Sequence, residues 1–128
     1  SHFVAAMVRK FYEAKEGETI EFWGTGRPMR QQLFVDDLAK IIPKLLELHN
    51  SSIPLIVAPS ENLSIKEMIE MCNNFVGKHN SVKFNGQLEG QHRKDGSNKA
   101  LLDLIGRFEF TPFATGAEAT YRWYGENE

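Results

Sequence analysis

One stretch of the sequence combines side chains that suit the binding of a phosphorylated ligand. Residues 23–39, WGTGRPMRQQLFVDDLA, read as a strand end, a glycine turn, a second strand and a helix that begins beside two aspartates. Arg30 leaves the turn with a planar set of five donors, which can clamp a phosphate or a diphosphate. The alternative is a surface ion pair between Arg30 and Asp36 or Asp37. Trp23, on the sequence alone, is interpreted as a core residue.

A second group of candidate residues lies on the first predicted helix. Phe3, Met7 and Lys10 are spaced i, i+4 and i+7, so they share one helix face, and the other apolar residues of the helix then point to the core. Ordinary packing of Phe3 and Met7 beside a solvated Lys10 explains the same spacing.

Lys94 lies in a polar run over residues 85–99 that contains three glycines and several basic side chains. A loop of this composition could close over phosphate oxygens. The alternative interpretation is a solvated run of charges.

The glycines of residues 24–28, GTGRP, resemble the start of a dinucleotide-binding fingerprint but do not complete it. The third glycine is absent, Arg27 and Pro28 follow, and no helix is predicted directly after them. The stretch is therefore predicted to be a turn, and we expect no cofactor-binding residues in this chain. No metal-binding set is predicted either.

Four helices and three or four short strands must position these residues. A helical pattern from residue 3 ends before Gly17, and Ser64 to Glu67 has capping-box spacing before a helix that Gly77 ends. These elements predict a small mixed α/β domain over residues 1–128, with too few strands for a complete doubly wound sheet. Strands are predicted over residues 19–23, 31–35, 53–58 and 81–84. A further helix is predicted from Asp36 or Asp37 to residue 48, with a kink at Pro43. The last helix is predicted to begin at a capping box formed by Thr115 and Glu118.

The composition excludes several classes of function. A net charge of -2 and a pI near 6.1 disfavour nucleic-acid binding through a broad basic surface. No apolar run is long enough to cross a membrane, and the single cysteine, Cys72, is expected to be a reduced core thiol. A cytoplasmic setting is expected. Because the sequence enters a helical pattern at once, we also expect the chain to be part of a longer protein.

The segment over residues 23–39 resembles the signature of extended short-chain dehydrogenases/reductases that act on nucleotide sugars. Four further stretches resemble the GDP-L-fucose synthases within that family. They are the start SHFV, the run RKF followed by EA, the run EGQHRK over residues 89–94, and the ending with TPF and Trp123. The resemblance extends in order over essentially the whole chain, but Ala5 departs from a frequent proline, and residues 95–98 are an insertion relative to some members.

The resemblance implies specific roles for individual residues. His2 matches an acid that takes part in epimerisation, and an imidazole can transfer a proton near neutral pH. Phe3, Met7 and Lys10 match a face that touches the nucleotide sugar. The positions of Trp23 and Arg30 match contacts to the GDP part, and Lys94 matches a lysine near the nucleotide.

The resemblance also implies an activity for the longer protein. The GDP-L-fucose synthases convert GDP-4-keto-6-deoxymannose to GDP-L-fucose by epimerising C3 and C5 and then reducing C4 with NADPH. NADP(H) is expected on an N-terminal Rossmann domain outside this chain, and the tyrosines here lack the family's lysine four residues on. The chain is thus predicted to be the substrate-binding portion, with a GDP-sugar as its ligand. The alternatives are another nucleotide-sugar epimerase or dehydratase of the extended family, and a non-catalytic binding module.

Overall fold

Five helices and five short strands lie within residues 2–48, 54–87, 92–94 and 96–127, which are the residues described by a computed structural model. Residues 88–91, with the first half of the EGQHRK run, lie outside this part. The helices are α1 His2–Glu13, α2 Val35–Leu48, α3 Ile65–Val76, α4 Lys99–Ile105 and α5 Phe113–Asn127. The strands are β1 Thr19–Phe22, β2 Met29–Arg30, β3 Leu63–Ser64, β4 Ser81–Phe84 and β5 Arg93–Lys94.

The predicted ends of α3 are confirmed. The Ser64 hydroxyl accepts from the Glu67 amide at 3.0 Å, and the Ser64 amide donates to the Glu67 carboxylate at 3.0 Å. Gly77 adopts a left-handed φ of 71° and its N–H donates to the Asn73 carbonyl, which closes the last turn. Both ends depend on neighbours within a few residues, so the sequence alone could locate them.

The predicted start of α5 was wrong. The helix begins at Phe113, so Thr115 and Glu118 lie inside it and form no capping box. The Phe113 amide donates instead to the Glu61 carboxylate at 2.8 Å. A carboxylate at a helix N-terminus satisfies a free amide and interacts favourably with the helix dipole, so Glu61 caps α5 from a distant part of the chain.

The structure also corrects the prediction for α2. The helix begins at Val35, before both aspartates, and it continues through Pro43 to Leu48. Asp37 is buried and accepts two hydrogen bonds from Thr111, with its carboxylate 2.7 Å from the amide and 2.8 Å from the hydroxyl. Asp37 therefore joins the start of α2 to the segment before α5.

Two predicted strands are absent from the described residues. Residues 31–34 follow β2 without strand structure, and residues 54–58 carry none either, although their apolar composition suits a buried strand. The two-residue strands β3 and β5, and the short helix α4, were not predicted. Strand structure needs a hydrogen-bonded partner, and composition alone does not supply one.

Two segments of the chain lie side by side and are joined by parallel strand pairing. β1 pairs in parallel with β4, and β2 pairs in parallel with β5. Between these pairs, the Gly24 amide donates to the Gln87 carbonyl at 2.7 Å, and the Met29 amide donates to the His92 carbonyl at 2.6 Å. We call residues 19–30 together with residues 81–87 and 92–94, which lie beside them, the paired ribbon.

The turn in the paired ribbon requires glycine at position 26. Gly26 has a φ of 79°, and a Cβ built there would lie 2.7 Å from the ring of Phe84. Both the backbone conformation and the lack of space exclude a side chain. The GTGRP stretch is a bent connection between β1 and β2, and no helix follows it directly, as predicted.

The core lies between α1, α3 and α5 and the buried face of β1. Met7 and Phe11 from α1 have no exposed surface, and neither do Met68 and Cys72 from α3. Tyr12 packs edge-on against two tyrosines of α5, with centroid distances of 5.9 and 5.1 Å, which fixes α1 to α5. Among the described residues, no helix is long and apolar enough to cross a membrane.

Candidate functional site

Trp23 and Lys10 line the same surface cavity at the end of β1. The cavity has a volume of about 360 Å³, which lies within the range of small-molecule sites. Trp23 is 66% exposed, so the core position that the sequence suggested for it was wrong. Lys10 Nζ donates to the Glu21 carbonyl at 2.6 Å and lies 5.0 Å from the centroid of the Phe22 ring. An exposed indole and a hydrogen-bonded ammonium group thus line one cavity.

Arg30 and Lys94 are neighbours at the other end of the paired ribbon. They are register partners on β2 and β5, which places two basic residues on adjacent strands. The Arg30 guanidinium donates to the Met29 carbonyl at 2.7 Å, and it forms no ion pair within the part of the chain that is described. Asp37, proposed as its partner in the alternative interpretation, binds Thr111 instead. The remaining guanidinium donors suit an anionic ligand.

The residues predicted on α1 have different environments. Met7 has no exposed surface and packs in the core, which contradicts the prediction that it faces a ligand in this chain. Phe3 is partly buried and packs against the same core. His2 begins α1. Only Lys10 of the predicted ligand-facing set reaches an exposed cavity.

Sequence analysis missed the residues that support β5. Gln31 Nε2 donates to the Pro59 carbonyl at 2.8 Å, and Gln31 Oε1 accepts from the Gly96 amide at 2.8 Å. Asn98 Nδ2 donates to the Ala58 carbonyl at 3.0 Å. These amide side chains fasten the segment after Lys94 to the loop before β3. An amide in the middle of a polar run carries no local signal of such a role.

A second cavity, of about 240 Å³, opens beside the N-terminal half of α1. Val4, Phe34 and Thr111 contribute to its walls, and α5 approaches closely at Gly116. A Cβ built on Gly116 would lie 3.1 Å from the Phe34 ring, so the small residue allows the helix to pack there. The cavity is mostly apolar and lies near the helix start that carries His2.

The glycine turn does not fit the pyrophosphate of a dinucleotide cofactor. Its Gly24 amide is already hydrogen-bonded to Gln87 and Asn85, and the Gly26 carbonyl accepts from the Lys66 amide at 2.8 Å. The turn leads into β2, whereas a pyrophosphate site needs free amides at the start of a helix. No group of three His, Cys, Asp or Glu side chains that could hold a metal ion occurs in the described ranges.

The thiol of Cys72 stays protonated near neutral pH. Burial raises the pKa of its thiol from 9.0 to about 12, so the thiolate is not populated near neutral pH. This agrees with the interpretation of Cys72 as a core residue.

Comparisons with known proteins identify relatives of the chain. A family model described as the NAD dependent epimerase/dehydratase family matches residues 1–57. The probable GDP-L-fucose synthase 1 of Oryza sativa subsp. japonica is 34% identical over 99% of this chain and 39% of its own length. The dTDP-4-dehydro-6-deoxy-D-allose reductase of Streptomyces bikiniensis is 33% identical over 88% of this chain and 34% of its own length.

A solved structure gives the same result for the fold. The GDP-L-fucose synthetase of Naegleria fowleri bound to NADP superimposes with a TM-score of 0.91 at 27% identity, over 99% of this chain and 41% of that protein. The chain spans about two-fifths of the length of the GDP-L-fucose synthases that it matches. It is therefore homologous, over nearly its whole length, to a part of the GDP-L-fucose synthases, and it has the mixed α/β fold of that part.

Proposed function

We propose that this chain is the substrate-binding portion of an NADP-dependent epimerase/reductase that converts GDP-4-keto-6-deoxymannose to GDP-L-fucose. The observation that carries the proposal is the paired ribbon. It has an exposed indole beside Lys10 at one end and the Arg30–Lys94 pair at the other. A nucleotide sugar needs an aromatic surface for its base and cations for its diphosphate, and both lie along this one structure.

Each residue has a distinct role in this proposal. Trp23 stacks on the base or the ribose, and Lys10 contributes positive charge beside it. Arg30 and Lys94 bind the diphosphate, whose charge offsets the repulsion between them. This binding holds the keto sugar near the start of α1, where His2 returns a proton to the sugar carbon during epimerisation. Met7 contributes by packing α1 against the core.

The proposal assigns NADP(H) and the hydride step to a Rossmann portion outside the chain. The exposed face of α2 supports the proposal that this chain packs against a second portion of the protein. Val35, Ile42 and Leu46 are 68%, 44% and 83% exposed and recur at i, i+7 and i+11, which gives one apolar stripe. An apolar stripe on a helix surface is typical of a face that packs against another part of a protein.

Titration of the chain with nucleoside diphosphates, followed by changes in its amide and indole NMR signals, tests the proposal. GDP is expected to shift the signals of Trp23 and of residues along the paired ribbon. Replacement of Trp23 by Ala should weaken binding at least about five-fold, because it removes the aromatic ring and stacking of a base on such a ring is worth on the order of 1 kcal/mol or more. The matched control is Trp123→Ala, since Trp123 is 62% exposed but lies on α5.

The relative that acts on a dTDP-linked sugar supports a second candidate, a nucleotide-sugar epimerase or reductase with a pyrimidine nucleotide. Tighter binding of dTDP or UDP than of GDP favours this candidate. Absence of any perturbation at millimolar nucleotide, or equal losses in the two tryptophan variants, contradicts a nucleotide site at Trp23.

A further inference from the structure

Three carboxylates line the cavity beside Trp23, and one of them is available to a ligand. Glu13 accepts from Arg9 Nε at 3.2 Å, and Glu18 accepts from the Lys15 amide at 3.2 Å. The carboxylate of Glu21 has no hydrogen bond and no ion pair within the described part of the chain. Glu21 is therefore the carboxylate of this cavity whose two oxygens are both free of bonds from the described residues, so it can accept two new hydrogen bonds side by side.

The alternation along β1 places Glu21 beside the indole. Ile20 and Phe22 are buried, while Thr19 and Glu21 are exposed, and the exposed Trp23 continues the second set. Side chains two residues apart on a strand share one face, with their Cα atoms about 7 Å apart. A base that stacks on Trp23 would therefore have one edge close to the Glu21 carboxylate.

Lys10 fixes this part of the strand. Its ammonium group donates to the Glu21 carbonyl at 2.6 Å, which holds the backbone of Glu21 against α1. The register partner of Glu21 on β4 is Lys83, and neither of these two side chains forms an ion pair among the described residues. The Glu21 carboxylate thus stays free on a strand whose position is set from two sides.

A free carboxylate distinguishes the bases by their hydrogen-bonding edges. Guanine presents a ring N–H beside an exocyclic amino group, and both can donate to the two oxygens of one carboxylate. Uracil and thymine present a single N–H between two carbonyl oxygens, which repel a carboxylate. Adenine presents a ring nitrogen that is itself an acceptor. A carboxylate at this position consequently favours guanine over the other three bases.

We propose that the Glu21 carboxylate binds the base of the nucleotide and selects guanine by accepting hydrogen bonds from the ring N–H and the 2-amino group of guanine. This inference rests on the proposed function, because it requires a nucleotide base on Trp23. It adds the residue that determines base specificity, which the overall fold does not fix, since relatives of the chain act on sugars carried by different nucleotides.

The test compares GDP with IDP, which differs from GDP only by loss of the 2-amino group. Amide NMR titrations of the chain give both dissociation constants, and UDP serves as a pyrimidine probe. The chain is expected to bind GDP at least about five-fold more tightly than IDP, the usual discrimination from one bidentate pair. In Glu21→Gln the preference for GDP over IDP should fall below about two-fold.

Glu18→Gln is the matched control, because Glu18 lines the same cavity and its carboxylate is already bonded to the Lys15 amide. That variant should keep the GDP preference. The far-UV circular dichroism spectrum checks that each variant is folded. Equal binding of GDP and IDP by the unchanged chain, or an unchanged preference in Glu21→Gln, overturns the role of Glu21 but leaves a nucleotide site at Trp23. Failure of every nucleoside diphosphate to bind overturns the proposed function itself.

Discussion

Arg30 and Lys94 are register partners on two adjacent parallel strands, although they lie far apart in the sequence. Like charges placed opposite each other on neighbouring strands destabilise a sheet by up to about 1 kcal/mol. Within the described residues, Arg30 has no acidic partner that would offset this cost. The arrangement is therefore expected to be stabilised by an anion.

Inorganic pyrophosphate should raise the thermal midpoint of the chain. At ten times the dissociation constant the gain is about 1.4 kcal/mol, which corresponds to about 5 °C for a chain of this size. Replacement of Arg30 by Gln should abolish most of this rise, and should not lower the midpoint in the absence of anion. Differential scanning calorimetry with and without pyrophosphate measures both effects.

Arg27→Gln is the control for that experiment, because Arg27 is an exposed arginine in the turn just before β2. It should respond to pyrophosphate as the unchanged chain does. If both variants keep the full rise, the anion binds elsewhere and the paired basic residues are not its site.

Replacement of Asp37 by Asn should cost about 1.5–3 kcal/mol of unfolding free energy. Asp37 is only 2% exposed, and it accepts hydrogen bonds from both the amide and the hydroxyl of Thr111. The two donors bind different oxygens of the carboxylate, and in Asn one of these oxygens becomes an NH2 group that cannot accept. Both bonds also lose the buried negative charge, and hydrogen bonds to a charged group contribute most. Urea denaturation measures the loss.

Asp36→Asn is the matched control, since Asp36 is the exposed neighbour at the start of the same helix. Its cost should stay within about 0.5 kcal/mol. Similar losses in the two variants would show that the helix start, and not the bond to Thr111, gives Asp37 its importance.

The Cys72 thiol should resist modification in the folded chain. Burial raises its pKa to about 12, and it has no exposed surface, so a thiol-specific reagent at pH 8 should react at least about a hundred-fold more slowly in buffer than in 8 M urea. Reaction at equal rates in the two conditions would place the thiol at the surface.

The raised pKa of Cys72 also predicts the direction of a pH effect. The folded state keeps the proton while the unfolded thiol loses it near pH 9, so this contribution to stability is complete below pH 9 and is lost as the pH rises toward about 12. The stability difference between the unchanged chain and Cys72→Ala should therefore shrink above pH 9. Urea denaturation at pH 7.5 and pH 10 measures this difference. A constant difference would contradict the buried, neutral thiol.

The sequence was sufficient where the determinants of structure are local. The capping box of Ser64 and Glu67 and the left-handed Gly77 define α3 through neighbours within a few residues, and both were predicted. The start of α5 was placed wrongly because its first amide is capped by Glu61, which no spacing rule connects to Phe113. The capping-box spacing at Thr115 was coincidental.

The candidate site likewise has some features that depend on neighbouring residues in the sequence and others that depend on distant ones. Glycines and the residues between them identified the turn before Arg30, and the resemblance to nucleotide-sugar enzymes indicated Lys94. Their pairing required β5, a two-residue strand held by Gln31 and Asn98, and such strands leave no periodic pattern. The resemblance suggested that Met7 faces a ligand, whereas ordinary packing, which explains the same helix spacing, agrees with its buried side chain.

Lys78 should be important for the end of α1 that follows Lys10. Its ammonium group donates to three carbonyls in the last turn of α1 and just beyond it, those of Phe11, Tyr12 and Ala14, at 3.1, 3.0 and 2.9 Å. These carbonyls lack partners within the helix, and a cation at a helix C-terminus also interacts favourably with the helix dipole. Lys78→Met keeps much of the apolar stem but removes all three bonds, so it should cost about 2 kcal/mol.

Hydrogen exchange locates that loss. In Lys78→Met the amides of residues 11–14 should exchange at least about ten-fold faster, because opening of the last turn becomes easier. Lys83→Met is the control, since Lys83 is an exposed lysine on β4 whose ammonium group makes no bond to α1. It should change neither the unfolding free energy by more than about 0.5 kcal/mol nor the exchange in α1. Equal effects of the two substitutions would contradict the role of Lys78, because the loss of positive charge alone would then explain both.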